Sequence, residues 1–336
     1  MVWMDFLRGI AIFLVICWHS AAILALLGHQ VPSWLLHAND FFAPFRIPML
    51  MFLSGMLLNR ALSKPMRTYY DGKLRNIAWP WLLWTLVHFV VMGTYSSVLK
   101  PGLWLLSYLW FLVYLMAFYA MAPLLRRVPT WLLVLVPWAI GFFVMSGPNM
   151  RRFFFLAVFF FLGKLASEHA SKLQRALASR WTLLMLPVVF GYGLAFSTLG
   201  PWRYYPPHIP FSIAGILLAI ALASRIGPGM GMSAWSFVGR NSIVYYVVHF
   251  PVIVLVVRIG QHLGWNIDVT VAAGLMVAMA VGTGFAVNRA TPLGWLFAFP
   301  KRRSGRGAER ALAQAATTVD DPDGVGEPMA AAGPGR

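Results

Sequence analysis

Apolar runs of near twenty residues recur along the chain, separated by short polar or basic stretches. Ten can be placed, over about 7–27, 41–58, 78–96, 103–124, 131–146, 153–166, 181–199, 209–225, 241–258 and 268–287. A helix needs about twenty apolar residues to cross the hydrocarbon core of a bilayer. The runs are continuous and do not alternate apolar with polar positions, which predicts spanning helices and not the strands of a barrel. The expected fold class is therefore all-α, a polytopic transmembrane bundle of about ten spans. The fifth and sixth runs are short enough to be tilted, paired or partly re-entrant. No internal repeat is evident, and no loop is long enough to fold a soluble domain. One transmembrane domain over 1–300 is expected, followed by a tail over 301–336. That tail begins basic, and from about Ser304 it is rich in Ala, Gly, Pro and Asp, a composition that predicts a disordered cytoplasmic segment.

Composition strengthens this picture. The 336 residues are 60% hydrophobic and only 11% charged, against about a quarter charged in soluble domains. The first apolar run lacks a small-residue cleavage site and contains Arg8 and His19, so it does not resemble a signal peptide. The single cysteine, Cys17, can form no intrachain disulfide. A net charge of +17 would suggest nucleic acid in a soluble protein. Here the basic residues fall mostly between spans, where they set topology. With the N-terminus in the cytoplasm, inner loops and tail carry 20 Lys and Arg and outer loops 5, with Arg8 and Arg46 at spans. This bias predicts both termini inside an inner membrane. Arg151 and Arg152 fall on the outer side, against the trend, and Lys164 is assigned to an inner loop.

The candidate chemistry lies inside the spans. In "DFLRGIAIFLVICWHS", Arg8 and His19 are eleven residues apart on one helix, a rise of about 16 Å and about three turns, so they share a face. A titratable group at that depth normally faces the bundle interior or a cavity. In "APFRIPMLMFLSGMLL", Pro44 and Pro48 interrupt a helical run, and Ser54-Gly55 is a close-packing pair. Lys73 and Arg75 in "KLRNIAWPWLLWTL" are either a positive-inside anchor or a docking site for a phosphorylated cytosolic ligand. In "GRNSIVYYVVHFP", Asn241 and Ser242 are expected to cap the next helix, and Tyr245 and His249 share its face. The remaining histidines fall near loops or span edges and carry no assigned role. Trp202, Arg203 and Tyr204, before the eighth span, could border an outer entrance or form an interfacial belt. No metal-ligand cluster and no nucleotide-binding glycine loop is present, so no metal and no resident cofactor are expected.

Taken together, these segments resemble the acyltransferase 3 family of integral membrane acyltransferases, over about residues 3 to 300. Arg8 and His19 match that family's opening Arg-x10-His helix. "PFRIPMLMFLSGMLL" is similar to its second-span Phe-His-Met-Pro…Phe-Ser-Gly pattern. "RNIAWPWLLWTL" and "LWFLVYLMAFY" resemble its third and fourth spans, "FFFLGKL" its Phe-Phe-Leu-Leu-Gly segment, and "GRNSIVYYVVHF" its late Gly-x-Asn-Ser…Tyr…His helix. Two departures stand out. Arg46 replaces the usual second-span histidine, and Lys73-x-Arg75 replaces paired arginines. Nothing in the sequence corresponds to the extracytoplasmic hydrolase-like domain that some members carry.

The resemblance implies transfer of an acyl group, commonly acetyl, from cytosolic acyl-CoA to a hydroxyl or amine of a saccharide, glycolipid or other envelope acceptor. It implies Arg8, Lys73 and Arg75 at the donor, His19 as base or acyl carrier, and Arg46, Ser54, Asn241, Tyr245 and His249 in support. Histidine is the side chain best matched to accepting a hydroxyl proton near neutral pH. Membrane lipid is the other expected partner, and nucleic acid is not one. The rival classes are a transporter or flippase of envelope precursors, which would be favoured by paired inverted repeats, and a non-catalytic assembly subunit on the same fold.

Overall fold

A computed structural model of the chain describes residues 2–100, 107–144, 147–199, 204–226 and 229–300. Trp202, Arg203 and the tail over 301–336 lie outside the described residues. Every regular element among the described residues is helical. Six helical segments are long and apolar enough to cross a membrane: Val2–Leu26, Ser33–Leu62, Arg180–Leu199, Pro206–Arg225, Ser242–His262 and Val269–Arg289. A seventh would be Pro148–Glu168 with Ala170–Ala178, a pair bent by 93°. Trp110–Met121 and Thr130–Phe143 are apolar but shorter. In a bilayer, helices satisfy their own backbone groups, and this is why apolar length alone locates them. The protein is thus a multi-pass membrane protein.

The first helix, α1, spans Val2–Leu26. Next come α2 (Ser33–Phe41), α3 (Ala43–Met56), α4 (Leu58–Leu62) and α5 (Met66–Lys73). The second predicted run is therefore broken at Phe42 and Leu57. Pro44 falls in the first turn of α3, where its missing N–H is harmless, and Pro48 lies inside the helix. One π-helical turn (Leu74–Ala78) joins α5 to α6 (Trp79–Met92), which ends at Gly93 with φ +72°. Then follow α7 (Trp110–Met121), α8 (Thr130–Phe143), α9 (Pro148–Glu168), α10 (Ala170–Ala178), α11 (Met185–Leu199) and α12 (Ile209–Arg225). The chain continues through α13 (Met230–Arg240), α14 (Ser242–His262) and α15 (Val269–Arg289) to a 3-10 segment, Thr291–Leu296.

Small residues set the closest helix crossings, as membrane packing favours. Gly9 of α1 faces Gly239 of α13: a Cβ on Gly9 would fall 2.1 Å from the Trp235 carbonyl oxygen. Gly55 of α3 and Gly163 of α9 form the second crossing, where a Cβ on either would come within 2.0 Å of a carbonyl oxygen on the other helix. The buried aromatics Phe52, Phe118, Phe159 and Phe160 fill the space around it.

Three expectations are corrected. Lys164 is not in a loop but lies within α9, buried, with its ammonium bonded to Glu168 and Thr130. Burial of the cation is matched there by a carboxylate one turn away. Asn241 does not cap α14, since its amide donates back to the Phe237 carbonyl at 2.9 Å and closes α13 instead. Between the eighth and ninth apolar runs lies α13, a helix that the run map lacks because its apolar residues are interspersed with polar ones.

Candidate active site

His19 lies deep in α1, and its Nδ1 is 2.9 Å from the Val15 carbonyl oxygen one turn back. His249 of α14 is fully buried, with its Nδ1 3.2 Å from the Tyr245 carbonyl oxygen. A carbonyl can only accept, so both imidazoles carry their proton on Nδ1. The Nε2 of His249 then holds a lone pair, and it lies 3.2 Å from Nδ1 of His19. The Nδ1–H of His19 is shared between Val15 and His249. Its Nε2 hydrogen-bonds to no described residue. The arrangement fixes the ring orientation and tautomer of His19 and leaves one basic nitrogen available, the pattern of an oriented general base or nucleophile. Phe250 makes a ring contact to His19, Tyr108 and Tyr246 make ring contacts to His249, and His88 packs on Tyr108 and Phe250 behind them.

His19 borders a cavity of about 110 Å³, together with Val15 and Trp18 of α1 and the start of α3, including Arg46. Arg46 is buried and donates to the Asn39 carbonyl oxygen at 3.0 Å. Across the cavity are Trp110, Arg152, Tyr204 and His208. The sequence pattern had offered only one signal for Arg152, its departure from the charge bias. His208 carried none.

The other end of α1 holds a second basic group. Arg8 pairs with Asp5 at 3.6 Å and is within electrostatic reach of Tyr119 of α7. The ammonium of Lys73, at the end of α5, lies 3.3 Å from the Tyr119 ring centroid and 5.7 Å from that of Tyr69. The Tyr119 hydroxyl donates to the Ser54 carbonyl oxygen at 3.0 Å, and the Ser54 hydroxyl turns back to Leu50. Burial, reinforced by Lys64, pushes the Lys73 ammonium down to about 8. Arg8, Lys73 and Ser54 thus converge on Tyr119. Arg75 is directed elsewhere: it donates to the Phe299 carbonyl oxygen at 2.7 Å, pairs with Asp71 at 3.7 Å, and accepts the Phe299 N–H on its own carbonyl at 3.0 Å. Trp79 and Trp84 donate to the carbonyls of Trp295 and Leu296, fixing the same segment to α6. Among the described residues no cluster of His, Cys, Asp or Glu could hold a metal ion.

A bundle of membrane helices, with a histidine pair of which His19 borders a cavity and a basic cluster toward the other end of the same helix, defines a polytopic membrane protein with a candidate site inside the bundle. The family model described as an acyltransferase domain matches residues 1–289, and the chain belongs to this family, acyltransferase 3. No curated protein and no solved structure matches the chain.

Proposed function

We propose that the protein transfers an acyl group, commonly acetyl, from cytosolic acyl-CoA to a hydroxyl or amine of an envelope saccharide, glycolipid or related acceptor, with His19 as the base. The observation that carries this reading is the histidine pair, in which His249 holds the Nδ1–H of His19 while Nε2 remains available beside a cavity. In the direct route, Nε2 takes the proton of the acceptor hydroxyl as its oxygen attacks the thioester carbonyl. The C–S bond then breaks, and the proton passes from the imidazolium to the departing thiolate. A two-step route, with the acyl group carried on Nε2, uses the same nitrogen; the direct route requires fewer steps. The reading places ten spans and both termini on the cytoplasmic side of an inner membrane, so that donor enters at the Arg8 end and acceptor at the His19 end. Purified protein in proteoliposomes, given labelled acetyl-CoA and extracted envelope glycans, should label the glycans. Movement of unlabelled precursor across the bilayer without acyl-CoA would support a flippase instead.

At the donor end, Arg8 and Lys73 are the cations placed to meet acyl-CoA phosphates, because charge-assisted contacts to phosphate are strong. Arg8→Ala should raise the KM for acyl-CoA by about tenfold or more, on the scale of one charged hydrogen bond. Arg75→Ala should act less severely, since Arg75 is engaged with Phe299. Steady-state kinetics with varied donor would measure both, and an unchanged donor KM with impaired acceptor use would contradict the assignment. Lys73 makes the donor site pH-dependent. Its ammonium is charged below about 8 and neutral above, so donor affinity should fall as pH rises through that value. Lys73→Arg should remove this alkaline weakening, because guanidinium stays charged; the same alkaline limb in both proteins would exclude Lys73.

A further inference from the structure

Another cavity, of about 450 Å³, shares no lining residue with the one beside His19. It is a groove walled by Phe52 of α3, Leu162 and Leu165 of α9, Leu173 of α10, and Ile213 and Leu217 of α12. Its described lining is apolar except at the α10 end, where His169 and Lys172 stand without any Asp or Glu. From Leu162 to His169 the α9 wall rises about 10 Å, most of the apolar half-thickness of a bilayer, which is about 15 Å. The groove therefore suits a ligand that is apolar along its length and anionic at one end. Helix α10 has the form of a helix that lies at the border of lipid and water. It is turned 93° from α9. Leu173 and Leu177 are one turn apart on one face, with Leu177 buried, while Ser171, Lys172, Gln174 and Arg175 are exposed. An apolar face backed by a polar face whose charges are all positive is the pattern of an interfacial helix. Lys172 and Arg175 are neighbours on that polar face. Lys172 forms no hydrogen bond or ion pair among the described residues. Water alone would satisfy its ammonium, but not the apolar groove that begins beneath it.

We propose that this groove is a binding site for an anionic phospholipid of the surrounding membrane. One acyl chain lies between α3, α9, α10 and α12, and the headgroup phosphate meets Lys172, with Arg175 beside it on the same helix. Basic pockets between membrane helices favour anionic headgroups because each cation near the surface adds attraction that a zwitterionic headgroup does not repay. The chain supplies the remainder, since it fills apolar space that would otherwise lack contacts. The site is separate from the proposed acyl transfer, which can fail without touching it.

The test places the full chain in nanodiscs of phosphatidylcholine, alone or mixed with phosphatidylglycerol of the same chain length. Native mass spectrometry should show phosphatidylglycerol retained in preference to phosphatidylcholine, and thermal unfolding should shift upward in the mixed discs. Lys172→Gln should cut the preference by about fivefold, the scale of one cation beside an anionic headgroup. Because Lys172 is exposed, this variant should melt like the parent in phosphatidylcholine alone. Ala176→Trp, at an exposed position lining the groove, should obstruct the chain and abolish the retained lipid. Arg126→Gln, exposed and outside the groove, is the control for general surface charge and should leave the preference unchanged. Glycerol 3-phosphate, the headgroup phosphate without a chain, should not stabilise the protein. Equal retention of the two lipids, or the same loss of preference in Arg126→Gln as in Lys172→Gln, would overturn the proposal. Undiminished retention in Ala176→Trp, or stabilisation by glycerol 3-phosphate equal to that by the lipid, would remove the groove from the site and overturn it too. So would a second copy of the chain bound across this face with no lipid retained.

Discussion

His19→Ala is expected to abolish acyl transfer while the bundle still inserts and folds. General acid–base catalysis by a positioned side chain contributes about 10²–10⁴-fold. If His19 also carries the acyl group, its loss removes an intermediate as well. A fall in kcat of about 10³-fold or more should therefore be measured, with little change in acyl-CoA affinity, since Arg8 and Lys73 lie near the other end of α1. The imidazole borders a cavity, so its truncation enlarges that space without opening the tight glycine crossings. His249 is a positioning residue, acting through the 3.2 Å contact to Nδ1 of His19. His249→Ala should lower kcat by about tenfold, on the scale of one lost hydrogen bond, and leave both KM values nearly unchanged. His249→Gln, which restores an acceptor, should recover part of the rate. Near-normal turnover in His19→Ala would remove it as base and as acyl carrier.

Gly163→Leu should abolish the folded protein. Even a Cβ at this position would fall 2.0 Å from the Phe52 carbonyl oxygen and 2.9 Å from the Met56 nitrogen. Backbone cannot give way as a flexible side chain can, so α3 and α9 would have to separate. Buried Phe52, Phe159 and Phe160 would lose their packing along with the crossing. Overpacking typically costs about 1–3 kcal/mol, and Gly163→Ala already belongs at the upper end of that range or beyond it. Gly191→Ala in α11 is the matched control, because nothing lies within 4 Å of a Cβ there. Thermal unfolding in the same detergent should show a large loss for both Gly163 variants and almost none for Gly191→Ala. A Gly163→Leu protein that melts within a few degrees of the parent would refute the crossing.

The placement of the apolar helices was legible in the sequence because their signal is local. Each apolar run satisfies its own backbone hydrogen bonds in lipid, so length and hydropathy alone locate the helices and define a multi-pass membrane protein. Helical geometry likewise placed Arg8 and His19 along one face of α1, and Tyr245 beside His249 on α14. The Ser54-Gly55 pair announced a close crossing, though not its partner. The apolar pattern is silent where the local signal is mixed: α13 intersperses polar and apolar residues, and the Lys164 charge looks like a loop residue until Thr130 from a neighbouring helix joins Glu168 in accommodating it.

What only the tertiary structure decided is which faces meet. His19 and His249 are 230 residues apart in sequence, and nothing in either helix specifies their relative rotation. That is decided by how the whole bundle packs, in which helices come closest where side chains are absent, as α1 does to α13 at Gly9 and Gly239 and α3 does to α9 at Gly55 and Gly163. The same docking turns Lys73 toward Tyr119 and leaves Arg75 on Phe299, although the two basic residues look equivalent in the sequence. It also brings Arg152, known in the sequence only as an exception to the charge bias, Tyr204, readable there as either an entrance or an interfacial residue, and the unmarked His208 to the His19 cavity. Helices follow from the chain's own periodicity, whereas a site made by several helices exists only once their packing has fixed rotation and depth.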